Sequence, residues 1–145
     1  MTDETRETAK KIDVFIRQNA WFDFDVANYD SRNLVVRGST DFCYYHELEI
    51  HFHGVFFVSA YFRGWKSDTT KPVFIIPEQQ EDYQLNYQLE IEQGYDLFIF
   101  NIEDSENKII IAAESISYNM DTVLYYYRKD LGPGMRLADS VTKPN

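Results

Sequence analysis

The sequence predicts a mainly β fold, α+β at the margin: one N-terminal amphipathic helix packed on an antiparallel β-sandwich or partly open barrel of about eight strands. Three observations predict it. Residues 47–53 alternate without a break, with Leu48, Ile50 and Phe52 on one side and Glu47, Glu49, His51 and His53 on the other, the period of two that a half-buried strand imposes. Aromatic residues make up 17% of the chain, with 11 Tyr and 11 Phe, and these residues favour strands and bury large areas. Short apolar runs recur at fairly even spacing between turn signals, whereas one segment at the front reads as a convincing helix.

That helix is residues 2–20. Thr2 or Asp3 can cap it, Asp3 and Glu4 suit the positive end of its dipole, and Ala9, Ile12, Phe15 and Ile16 share a face. At Trp21 the period switches to two: Phe22, Phe24 and Val26 interleave with Asp23 and Asp25, an Asx-rich turn follows at 28–33, and 34–37 closes a first hairpin. The strand at 42–53 comes next. Gly54, which marks either a tight turn or a bulge, stands between it and the apolar run 55–62, and a hairpin or sharp bend is expected there. Residues 73–76 form a short strand that Pro77 ends.

The clearest alternation of all sets Tyr83, Leu85, Tyr87, Leu89 and Ile91 against Gln84, Asn86, Gln88, Glu90 and Glu92, and predicts a strand with one wet face. Residues 97–102 are apolar on both faces, as a central strand is. Strands at 108–118 and 122–128 complete the set. A single globular domain over 1–130 is expected, followed by a tail at 131–145 that wraps the surface or is disordered.

The formal net charge of −10 disfavours nucleic acid and anionic membrane surfaces, and it favours encounter with a basic protein. Cys43 is the one cysteine, which excludes an internal disulfide and fits a reducing compartment, so a cytoplasmic location is expected. A lone thiol among Phe42, Tyr44 and Tyr45 reads as a small core residue. No run reaches the length of a membrane-spanning helix.

One constellation suggests chemistry. His51 and His53, two apart on a strand, point the same way, and Glu49 on the same face is a third ligand for a transition-metal ion. His46 has the opposite parity and needs a bulge to join them. Barrel enzymes of the cupin type also require a glutamate a few residues after their H-x-H and a distant histidine, and neither follows His53. Asp23, Asp25, Asn28 and Asp30 offer oxygen ligands, but an EF-hand loop counted from Asp23 places Asn28 and Leu34 where a glycine and a glutamate are needed. Ser59 or Ser115 with His51 lacks a nucleophile turn, and no glycine-rich phosphate loop is present. No cofactor is expected otherwise.

Aromatic clusters at Tyr61 and Trp65, and at Tyr125 and Tyr127, are the candidate binding residues, since Tyr and Trp bring a rigid apolar area with a polar tip. These features point to a non-catalytic protein-interaction module that binds a basic protein through an aromatic, carboxylate-rimmed face, with a small inhibitor or immunity-type partner as its most concrete form. The alternatives are a metal or small-ligand β-barrel built on Glu49, His51 and His53, and a carbohydrate-binding β module resting on the aromatics. The edges of such a sheet also allow a homodimer.

Overall fold

A computed structural model describes residues 1–145. Ten strands and two helices follow one another in the order α1 (Asp3–Arg17), β1 (Phe22–Asp30), β2 (Asn33–Ser39), β3 (Tyr45–His46), β4 (Leu48–Ser59), β5 (Trp65–Ser67), β6 (Phe74–Ile75), α2 (Gln79–Gln88), β7 (Asp96–Asn101), β8 (Lys108–Asn119), β9 (Thr122–Leu124) and β10 (Met135–Leu137). Seven of the strands form one antiparallel sheet in the order β5-β1-β2-β4-β8-β7-β6, and β10-β9-β3 form a smaller one. The large sheet curls into a half-barrel. Beyond the end of β7, the Glu103 N–H donates to the Lys66 carbonyl at 2.9 Å, which draws that end of the chain against the edge strand β5.

Helix α1 begins as the sequence predicts. Thr2 is the N-cap, its hydroxyl accepting from the Thr5 N–H at 3.1 Å, and Ala9, Ile12 and Ile16 are its buried stripe. It lies against β6 and β8. It also holds the edge: Asp13 Oδ1 accepts from the N–H groups of Val73 and Phe74 at 2.8 and 2.9 Å, so a two-residue strand with little pairing of its own is fixed to the helix.

The core lies within the curl and is built from phenylalanine. Phe22, Phe24, Phe52, Phe74, Phe98 and Phe100 are fully buried. Phe100 is its centre, with ring centroids 5.0 Å from Phe24, 4.8 Å from Phe74 and 5.2 Å from Trp65. Gly38 is required by this packing, because a Cβ there would overlap the Phe22 ring.

Three segments differ from the expectation. Residues 83–91 are not a strand: α2 covers most of them. The stretch contains no β-branched residue before Ile91, Gln, Glu and Leu are good helix formers, and Glu81 and Asp82 in the first turn oppose the positive end of the dipole. Leu85 and Leu89 are four apart and therefore share a helical face, and both are half-buried. The same residues thus satisfy a helix as well as an alternating strand. At Gly54 the bulge forms and the hairpin does not. Strand β4 runs on through it with φ of 63°, and the register with β8 shifts just beyond, between Val55 and Phe57. Finally, the strand expected over 122–128 stops at Leu124. Part of the tail pairs instead, β10 running parallel to β9.

Candidate functional site

The residues that suggested chemistry stand on the outer face of the large sheet, where the small sheet covers it. Directly opposed residues in neighbouring antiparallel strands share a face, so the register places Asp25, Arg37, Glu49 and Asn119 in one row across β1, β2, β4 and β8, and His51 beside Val35 and Ser117 in the next. Arg37 holds Asp25 through two hydrogen bonds of 2.8 and 2.6 Å, and its guanidinium lies 5.5 Å from the ring centres of both Phe42 and Tyr125.

His46 joins this row without the expected bulge. The chain leaves the small sheet after His46, passes Glu47, whose N–H donates to the Gly38 carbonyl at 3.0 Å, and enters the large sheet at Leu48. That change of sheet resets the parity. His46 Nε2 comes 2.6 Å from Glu49 Oε2, and its Nδ1 comes 2.6 Å from the Tyr125 hydroxyl. With Nε2–H donating to the carboxylate, Nδ1 accepts from the Tyr125 O–H, a tautomer that satisfies both contacts.

Glu49 is the hub. Besides His46 it accepts from Arg136 at 2.9 Å and meets His51 Nε2 at 3.2 Å, while Arg136 turns its Nε to Asp121 at 3.3 Å. The His46 hydrogen bond, assisted by His51 and Arg136, outweighs burial and holds the Glu49 carboxyl down at about 2. Burial is the larger influence on Tyr125 and pushes its hydroxyl up to about 12. At 4% exposure, and with both ring nitrogens engaged, His46 offers no nitrogen to a substrate from solvent. The arrangement ties the strand β10 and the segment after β9 to the large sheet.

The late ionisation of Tyr125 has a measurable consequence. A hydroxyl whose pKa is raised on folding contributes stability that is complete below the ordinary value near 10 and is lost as pH climbs towards 12. Ultraviolet titration should therefore show a tyrosine step near pH 12 that Tyr125→Phe removes. If no step appears near pH 12, Tyr125 is not buried beneath the small sheet.

His51 and His53 do share a face, with ring centroids 6.3 Å apart and planes 18° from parallel. They turn to different partners, His51 to Glu49 and His53 to the Ser117 hydroxyl at 2.8 Å. No group of three or more His, Cys, Asp or Glu side chains is placed to hold a metal ion. Glu49, the third ligand suggested by the sequence, directs its oxygens to His46, His51 and Arg136.

The aromatic candidates separate. Trp65 is not available for binding: it is 5% exposed and stacks on Phe24 at 5.7 Å inside the core, because the short edge strand β5 faces it inward. Tyr125 spends its hydroxyl on His46. Tyr127 is half-buried and lies past the end of β9, so alternation along a strand does not relate it to Tyr125. Tyr61 is exposed and accepts a hydrogen bond from Asn107 at 3.2 Å. Cys43, expected in the core, is exposed in the turn before β3.

Two aromatic surfaces escaped the sequence reading. Tyr83 and Tyr87, 76% and 85% exposed, stand one turn apart on α2, and a groove of about 460 Å³ beside them is lined also by Ile91 and Tyr95, with Asp82 and Glu92 among its other residues. A second groove, of about 270 Å³, is lined only by apolar and aromatic residues, among them Tyr29, Val55, Phe56 and Phe62. The tyrosines of α2 were hidden by a period-two pattern, although their spacing of four was visible. No family model, no curated protein and no solved structure matches this chain, which leaves its function to be inferred from these residues.

Proposed function

We propose that this protein is a non-catalytic interaction module whose partner is a basic protein. One observation carries the reading: on a chain of net charge −10, large aromatic side chains stand in solvent, among them Trp21, Tyr44, Tyr61, Phe62, Tyr83 and Tyr87. Aromatic rings in water are the usual anchors of protein interfaces, and a single-sign field steers an oppositely charged partner and raises its association rate. The His46–Glu49 network supports the same reading from the other side, since its polar atoms serve the fold. An inhibitor or immunity-type partner of a basic toxin or nuclease would use such a surface.

The experiment is affinity isolation of the tagged chain from its source at low salt, followed by identification of whatever co-elutes and measurement of its affinity in purified form. The reading expects a basic protein that binds stoichiometrically. Isolation that repeatedly returns no basic protein, or returns only acidic ones, counts against it.

A further inference from the structure

We propose that the groove along α2 is the docking surface and that its occupant is an arginine- or lysine-rich segment of the partner protein. The proposal rests on the reading of this chain as a module for a basic partner, and it assigns that reading to one place. Helix α2 buries none of its residues, and it rests on the half-buried Leu85, Asn86 and Leu89. Its outward face presents Tyr83 and Tyr87, which are neighbours at a spacing of four, and the groove continues onto Ile91 and Tyr95.

Charge selects the occupant. Residues 78–96 include Glu78, Glu81, Asp82, Glu90, Glu92 and Asp96 and contain no Lys or Arg. Two of these acids are matched, Glu81 by Lys108 at 3.2 Å and Asp96 by the N-terminal ammonium at 3.8 Å, which leaves Glu78, Asp82, Glu90 and Glu92 without an ion pair. Asp82 and Glu92 line the groove itself, and burial first, then the neighbouring Asp96, raises the Asp82 carboxyl against the opposing pull of the N-terminal ammonium and Arg6. A second copy of this chain would bring the same charge to the same place. A guanidinium complements these unpaired carboxylates and fits the chemistry: it stacks on a tyrosine face, and its planar fork pairs with carboxylates. The groove at Tyr29, Val55, Phe56 and Phe62 has the apolar area but no such charge to choose an occupant.

The test uses a synthetic arginine-rich peptide, and the same peptide with citrulline in place of arginine, titrated calorimetrically into the full chain. The arginine peptide should bind and the citrulline peptide should bind at least about tenfold more weakly, since each desolvated charge pair lost is worth a factor of that order. A Tyr83→Ala, Tyr87→Ala double variant should keep its melting temperature, both rings being exposed, and lose affinity for the arginine peptide by about tenfold or more. Phe62→Ala, at the other groove, should bind as the parent does. If the arginine peptide binds and the α2 variant binds it equally well, the assignment to α2 is overturned while the basic-partner reading stands. If neither peptide binds, or both bind alike, both fall. If sedimentation shows that the chain dimerises and the α2 variant abolishes the dimer, the occupant is a second copy and the proposal is wrong.

Discussion

Glu49→Ala is expected to cost about 3 kcal/mol of stability in urea unfolding, the order seen when one member of a buried ion pair is removed. The size follows from what is stranded. Glu49 is 15% exposed at its side chain, and its carboxylate receives His46 at 2.6 Å, Arg136 at 2.9 Å and His51 at 3.2 Å. Deleting it leaves His46 buried with an unpartnered ring nitrogen and releases the hold of Arg136 on the large sheet. A loss below about 1 kcal/mol would mean that these contacts behave as a surface pair.

The same residue sets an acid limb. Its carboxyl is depressed to about 2 from an ordinary 4.5, so the unfolded chain takes up the proton first as pH falls. The stability this contributes is present in full above about pH 4.5 and is lost between pH 4.5 and pH 2, amounting to about 3 kcal/mol at most. Glu49→Gln should flatten that part of the profile. An unchanged slope in the variant would show that other carboxylates carry the acid transition.

Phe100→Ala is expected to be the most damaging core substitution, at about 3 to 5 kcal/mol. The ring is fully buried and has Phe24, Phe74 and Trp65 within 5.2 Å, and Phe52 at 6.4 Å. Those neighbours come from β1, β6, β5 and β4, so the void would open where the two ends of the curl meet and could not be closed by moving one strand. Thermal unfolding compared with Val58→Ala, a half-buried residue at the rim of the core, would check it. Equal losses at the two positions would contradict the placement of the centre.

The strands carrying period-two patterns over one buried face were legible in the sequence. Residues 22–26 and 48–53 behave as read, and so does the doubly buried strand at 97–100, because side-chain direction along a strand depends on nothing but parity. Residues 83–91 failed because Tyr83, Leu85, Tyr87 and Leu89 together recur at two while the Tyr pair and the Leu pair each recur at four, and the choice between strand and helix lay in the lack of β-branched residues and in the acids of the first turn. Of the site, the common face of Glu49, His51 and His53 was visible. Its use was not, since Tyr125 lies just past Leu124, where the strand expected over 122–128 stops, Arg136 arrives from a tail with no periodicity to place it, and His46 arrives through a change of sheet at Glu47. The exposure of Tyr83 and Tyr87 followed from the same misread segment.

We propose that this acidic, aromatic surface holds a basic protein. Its most direct test is the affinity of the purified chain for the basic protein isolated with it, measured over a series of salt concentrations. Tight binding is expected at low salt, weakening progressively as the Debye length shortens, with a residual apolar contribution from the aromatic anchors. Affinity that does not change with salt would contradict it, because complementary charge would then play no part in choosing the partner.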